Sequence, residues 1–266
     1  MGKASNRKRL TRSAARSFVG KGKGNRHRSG STLSRPRPQS RGVERLTIAI
    51  DGPSGAGKST VASSLGRRLG YLYIDTGAMY RSVALRVKEK GVMLEDELAV
   101  GRVASSLHIT FATEGDQTHV FCEGRDITEA IRTPEISRLA SSISKQKGVR
   151  EALVRIQREM GREGGVILEG RDIGTVVFPD ADVKFYLDAD SDERVRRRHH
   201  ELAERGVKAD LEETRGELLQ RDHNDMHRSH SPLKKADDAL LIDTTHRSVE
   251  EIVEEMIDIV KAKSKG

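Results

Sequence analysis

The chain has 266 residues, one cysteine, and 48 Lys and Arg against 40 Asp and Glu, for a formal charge of +8. That length can bury a full core in one large or two small domains. A single Cys122 excludes an intrachain disulfide and fits a reducing compartment. No apolar run approaches the ~18 residues of a membrane span, and the N-terminus lacks the apolar stretch of a secretory signal, so a cytoplasmic protein is expected.

The positive charge is unevenly spread. Residues 1–43 hold 13 of the 48 basic side chains and no acidic one, which leaves 35 basic against 40 acidic residues for 44–266. The main body is therefore mildly acidic and does not read as a general nucleic-acid binder. Residues 1–42 are rich in Arg, Lys, Ser and Gly and are expected to be disordered. Three readings stay open for this extension. It could be a basic arm that touches nucleic acid, an Arg- and Ser-rich organelle transit peptide, or a stretch upstream of a working start near Val43.

Leu46–Ile50 reads as a short apolar strand. Gly52-Pro53-Ser54-Gly55-Ala56-Gly57-Lys58-Ser59 then fits G-x-x-x-x-G-K-[ST], the phosphate-binding loop pattern, and Thr60 follows it. The glycines let backbone N–H groups curl round a phosphate, and the helix behind adds its positive end. Lys58 suits the β- and γ-phosphates of a nucleoside triphosphate, and the Ser59 hydroxyl suits Mg²⁺. The alternative for this stretch is a glycine-rich turn that happens to carry a Lys. The strand–loop–helix context favours phosphate binding.

A helix is expected over 58–69, with Val61, Leu65 and Leu69 on one face and Gly70 as its stop. Tyr71–Asp75 is a second strand, and Asp75-Thr76-Gly77-Ala78-Met79-Tyr80-Arg81 opens a helix to about Lys90. A further helix covers 96–107. His108–Thr113 and Thr118–Glu123, separated by Glu114-Gly115-Asp116-Gln117, carry a hairpin signal. Thr133 and Pro134 start a helix over 134–145 as N-cap and first residue. Helix 149–162, strands 165–168 and 183–187, helices 191–204 and 210–227, strand 239–242 and helix 248–262 complete the pattern. Strands at 46, 71, 165, 183 and 239 alternate with helices. This predicts an α/β fold with a five-stranded parallel sheet flanked by helices, whose ligands sit at the carboxyl ends of the strands. The hairpin interrupts the alternation and is expected to form a small inserted subdomain over about 103–145.

A P-loop enzyme that moves phosphate between two nucleotides must hold roughly six negative charges, about four on ATP and two on a monophosphate. Mg²⁺ and Lys58 cover only part of this, and planar Arg side chains suit the rest. Arg81 and Arg171 lie beside strand ends with Gly neighbours and are read as functional. Arg221 and Arg228 lie on or near a helix and are weaker candidates by position alone. Asp172 and Asp225 could be bases, Mg²⁺ partners or hydroxyl binders. A phosphate monoester is already a nucleophilic anion near neutrality, which tilts both toward substrate recognition. His223, His227 and His230 share a helical face and could ligate a metal, but surface histidines are favoured. Cys122 is read as packed, and Tyr80 as either packed or stacking.

Taken together, Ile50–Lys58, Asp75–Arg81, Gly170-Arg171-Asp172-Ile173-Gly174-Thr175-Val176-Val177-Phe178-Pro179-Asp180 and the segment from Arg221-Asp222-His223-Asn224-Asp225 through Arg228 to Ser231-Pro232-Leu233 closely resemble bacterial-type cytidylate kinase. The resemblance covers about 44–262. It implies a P-loop kinase fold and transfer of the γ-phosphoryl group of ATP, with Mg²⁺, to CMP or dCMP in pyrimidine metabolism, by what is expected to be a monomer. It implies that Gly52–Thr60 bind ATP and that Arg81, Arg171, Arg221 and Arg228 hold the phosphates. Thr76 would lie near the acceptor. Ser141, Arg150 and Asp172 would read the cytosine, and Asp225 the ribose. The basic helix with Arg194, Arg196, Arg197 and Arg198 would belong to a lid over about 191–206. The resemblance says nothing about residues 1–43.

Overall fold

The computed structural model describes residues 45–264 other than 116. The expectations for the basic extension therefore lie outside the described residues.

Strand β1 (Thr47–Asp51) occupies the middle of a five-stranded sheet of order β2 (Leu72–Asp75), β6 (Val166–Gly170), β1, β7 (Val183–Asp188), β8 (Leu240–Asp243). Every pairing in it is parallel, with Ala49 opposite Leu168 on one side and Lys184 on the other. Consecutive side chains of β1 leave by opposite faces. Ile48 and Ile50 enter a core shared with Val61 and Leu65 of α1 (Lys58–Leu69) and with Met256 and Ile257 of α8 (Val249–Lys263). Ala49 enters a second core on the other face. Full burial of Ile48 and Ile50 contributes about 1.5–3 kcal/mol each, which explains an uninterrupted apolar strand where a half-exposed one would alternate.

The second core is filled by α2 (Thr76–Glu89), α3 (Glu97–Ser106), α4 (Pro134–Ile143) and α5 (Lys147–Gly161). A small antiparallel sheet of β3 (Ile109–Glu114), β4 (Gln117–Cys122) and β5 (Arg125–Asp126) joins it. This sheet has no core of its own. Its inward residues Ile109, Phe111, Val120 and Cys122 are buried in the same cluster as Val83 and Val103. Cys122 is thus a packed thiol.

Local signals fix several ends. Gly70, at φ 67°, donates to the carbonyls of Gly66 and Arg67 and stops α1. Asp75 caps α2 by accepting from the Ala78 N–H at 2.8 Å. Thr133 caps α4 by accepting from the Ile136 N–H at 3.2 Å, with Pro134 behind it. Two features depart from the expected pattern. β6 runs to Gly170 rather than ending at Leu168, because its ladder with β1 continues through Asp51. Ile173–Val177, apolar and β-branched, forms one π-turn after that strand. α6 (Ser191–Glu204) and α7 (Leu211–His227) pack on each other beyond β7.

Candidate active site

The loop after β1 is shaped by what a side chain could not occupy. A Cβ on Gly52, at φ 148°, would lie 2.0 Å from the Leu187 carbonyl oxygen of β7. The loop then turns through Gly57, in the left-handed region at φ 79°, directly into α1. Lys58 is buried, and its Nζ donates to the Pro53 carbonyl at 2.5 Å, folding the side chain back over the loop. Burial pushes its pKa down and Arg171 adds to that, while the nearby Glu169 carboxyl opposes it. Ser59 and Thr60 are exposed at the head of α1.

Beside Lys58 sits an acidic group that the local pattern did not flag. Glu169 is buried at the end of β6 and accepts from the Tyr73 phenol at 2.5 Å. Burial raises its pKa, with a further rise from Asp75, against the pull of Lys58 and the Ser59 hydroxyl. The donors gathered here are all oxygens, which is the chemistry a hard divalent cation takes. Among the described residues no cluster of three or more His, Cys, Asp or Glu could cage a metal. One hydroxyl with a neighbouring carboxylate fits Mg²⁺ that keeps phosphate and water ligands. The His223 and His227 rings are exposed and stack with centroids 4.1 Å apart on α7, as expected of surface histidines.

Across the sheet edge, one cleft collects the acceptor candidates. Thr76 and Arg81 come from α2, Ser141 from α4, Arg150 from α5, Arg171 and Asp172 from the turn after β6, and Arg221, Asp225 and Arg228 from α7 and its end. Thr76 is fixed by donating its hydroxyl to the Glu169 carbonyl at 2.6 Å. Arg150 and Asp172 form a buried ion pair. Arg171 pairs through Nε with Asp225 at 2.9 Å, and Arg81 pairs with Asp75 at 2.8 Å. Arg228 stands 3.8 Å from Asp172 and 3.7 Å from Asp225. Tyr80 lies under Arg150, whose guanidinium is 5.6 Å from the ring centroid, and burial pushes its phenol up to about 12. Tyr80 therefore packs, with one face against a cation.

Five arginines meet two aspartates in this cleft, with Asp75 behind as the partner of Arg81, so positive charge is in excess. Arg221 has no ion-pair partner among the described residues. Burial pushes its pKa down to about 10, and Arg171 adds to the fall while Asp225 opposes it. Arg81 Nε, Arg150 Nε and Arg228 Nη2 are buried and have no hydrogen-bond partner. Buried guanidinium N–H groups left unmet cost free energy that an anion would recover. The arrangement is suited to phosphate.

The basic helix α6 divides differently from its sequence. Arg194 is buried and pairs with Asp222 of α7; it also donates to the Ser54 carbonyl of the glycine loop at 3.1 Å. Arg197 donates to the Thr244 carbonyl at 2.6 Å. It also pairs with Glu193 at 2.9 Å, Arg196 pairs with the same carboxylate, and Arg198 pairs with Glu201. Run composition cannot distinguish a buried tether from a solvated charge.

Residues 48–262 match the family profile described as cytidylate kinase. The cytidylate kinase of Geobacter sp. (strain M21) is 52% identical over 218 residues, covering 82% of this chain and 94% of that protein. That of Geobacter sulfurreducens is 51% identical over 221 residues, covering 83% and 95%. That of Bacillus cereus (strain ATCC 10987 / NRS 248) is 47% identical over 218 residues, covering 82% and 96%.

Proposed function

The chain belongs to the cytidylate kinase family, and from that membership we propose how its residues divide the transfer of the γ-phosphoryl group of ATP to CMP or dCMP, giving ADP and CDP or dCDP. The observation that carries the assignment is the excess of buried, partly unpartnered guanidinium groups across the sheet edge from the glycine loop.

On the donor side the backbone of Gly52–Thr60 surrounds the ATP phosphates. Lys58 leaves the Pro53 carbonyl to meet the β- and γ-phosphates, whose charge restores the protonated amine that burial disfavours. Ser59 would hold Mg²⁺, directly or through water, with Glu169 beside it. The cation neutralises charge on the transferring group when bound.

On the acceptor side Arg81, Arg171, Arg221 and Arg228 hold the monophosphate and the migrating group, and Thr76 borders the acceptor. Asp172 accepts from the cytosine 4-amino group, Arg150 donates to its O2 and N3, and Ser141 completes the base contacts. Asp225 takes the ribose hydroxyls. Uracil carries a carbonyl where cytosine has the amino group, and it would face the Asp172 carboxylate as acceptor against acceptor. The attacking phosphate has its second pKa at about 6 and needs no general base, so the chain's work is positioning and charge neutralisation.

We read residues 44–266 as the kinase domain, with an acceptor-side insert over about 103–145 and a lid over about 191–206. The ties from Arg194 to Ser54 and from Arg197 to Thr244 anchor the start of that lid, so its motion would pivot beyond the first two turns of α6. No helix among the described residues is long and apolar enough to cross a membrane. We further read the enzyme as a cytoplasmic monomer. Sedimentation as a dimer, or recovery in an organelle fraction, would break those two readings.

A turnover screen tests the function. Purified protein with ATP and Mg²⁺ is offered each nucleoside monophosphate in turn, with ADP release coupled to an optical readout. CMP and dCMP are expected to give the highest kcat/KM. Turnover with AMP but not CMP, or ATP hydrolysis without any acceptor, would overturn the assignment.

A further inference from the structure

Asp51 is the last residue of β1, one position before the glycine loop, and is only 4% exposed. A carboxylate there is electrostatically costly. It is desolvated, it has Asp172 as a neighbour of like charge, and it borders a loop that gathers phosphate. Something specific must hold it.

Its two oxygens have separate partners. Oδ1 accepts from the Ile173 N–H at 2.8 Å, and Oδ2 accepts from the Gly174 N–H at 2.7 Å. Both amides open the π-turn that follows Asp172. The far side of that turn closes back onto the Asp172 carbonyl, which accepts from the Val176 and Val177 N–H groups at 2.9 and 3.2 Å. The approach is close at Gly174, where a Cβ would lie 3.4 Å from Asp51 Oδ2, in van der Waals contact, and a tight 3.1 Å from Lys184 Cδ. Meanwhile Gly170 pairs with Asp51 in the sheet ladder. Arg171 and Asp172 are thus the two residues of a loop that begins opposite the backbone of Asp51 and ends on its side chain.

We propose that Asp51 is a positioning residue for the acceptor: its carboxylate caps the turn that presents Arg171 and Asp172 and thereby sets the preference for cytosine over uracil. The proposal rests on the reading of Asp172 as the group that meets the cytosine amino group. In this reading Asp51 acts through the Ile173 and Gly174 amides rather than on either substrate. An Asn at 51 would accept one N–H but set its amide N–H₂ against the other, donor against donor, and the turn would shift.

The experiment measures kcat/KM for CMP and for UMP with native enzyme, Asp51→Asn, Asp172→Ala and the double variant. Asp51→Asn is expected to lower the CMP-over-UMP ratio about tenfold, through KM for CMP, with KM for ATP unchanged within about twofold. The double variant is expected to show no further loss of preference beyond Asp172→Ala, because Asp51 acts through Asp172. If Asp172→Ala itself leaves the ratio unchanged, the reading of Asp172 fails. If Asp172→Ala lowers the ratio and Asp51→Asn does not, or if Asp51→Asn raises the ATP and CMP KM values equally, the proposal for Asp51 is overturned.

Should Asp51→Asn fail to fold, the native enzyme carries the test through pH. Burial pushes the Asp51 carboxyl up to about 6; the charged or titratable groups facing it are Lys58 from α1, Asp172 from the turn and Tyr186 from β7. Below that pH the protonated carboxyl loses one acceptor oxygen. The CMP-over-UMP ratio should then fall between about pH 7.5 and 5.5, while titration of the substrate phosphate, common to both, cancels. A ratio that stays flat over that range would sink the proposal.

Discussion

The two sides of the cleft are built by different means. The proposed donor side is one continuous stretch, Gly52–Thr60, whose available binding groups are mostly backbone N–H. The acceptor side is assembled from single side chains on α2, α4, α5, the turn after β6 and α7. Backbone donors keep their charge and direction whatever the ligand does. Guanidinium and carboxylate groups do not, and here they hold one another. Arg150 with Asp172, Arg171 with Asp225 and Arg81 with Asp75 keep the acceptor side in shape before any nucleotide arrives. Acceptor binding must therefore exchange internal ion pairs for ligand contacts, whereas donor binding mostly fills amides that were turned inward by the loop. Changes on the donor side should strike the chemical step for every acceptor. Changes on the acceptor side should discriminate between acceptors.

The largest effect should come from Lys58→Met, which keeps the length and apolar stem but removes the one cation of the donor loop. Loss of a charge aimed at the transferring phosphate costs about 10²–10³ in kcat. The loss should be equal for CMP, dCMP and UMP, and it is read from initial rates at saturating ATP. A loss that differed by acceptor would break the division between the two sides.

Arg171→Lys comes next. The charge stays but the planar fork that meets both Asp225 and a phosphate is lost. A charge-assisted hydrogen bond is worth about 1.5–3 kcal/mol, so kcat/KM for CMP should fall by roughly one to two orders of magnitude. KM for ATP measured in the same assays should move far less. Equal changes in both KM values would place Arg171 on the donor side with Lys58, to which it already lies close enough to lower the amine's pKa.

Legibility in the sequence follows the same division. The glycine loop, the stop at Gly70, the Thr133–Pro134 start and the five strands are local patterns, and they stand where the sequence placed them to within a few residues. The acceptor side has no comparable local signature. Ser141 and Arg150 came from resemblance alone; nothing in the spacing of α4 or α5 marks them, yet they line the cleft with Asp172 and Arg228. What stayed invisible are contacts made across long separations. Asp51 reaches Ile173 over 122 positions, and Arg194 reaches Ser54 over 140. Glu169 read as the end of a strand rather than a buried partner of Tyr73. Ile173–Val177 is a mostly β-branched run whose local preference is extended, and the Asp51 carboxylate together with the Asp172 and Ile173 carbonyls holds it in a π-turn.

The smallest effect separates substrate recognition from scaffold on the acceptor side. Ser141 lies on α4 and belongs to none of the ion pairs, and its hydroxyl has no intramolecular partner among the described residues; its carbonyl accepts from the Ser144 hydroxyl at 2.8 Å. Removing that hydroxyl leaves the folded chain with nothing unsatisfied. Ser141→Ala should therefore leave the melting temperature unchanged and cost only the net value of one neutral hydrogen bond to the base, about 0.5–1.5 kcal/mol. That corresponds to a rise of about two- to tenfold in KM for CMP at constant kcat. A fall in kcat with KM unchanged would mean that α4 acts on the chemical step, and the acceptor side could no longer be described as recognition held in place by its own ion pairs.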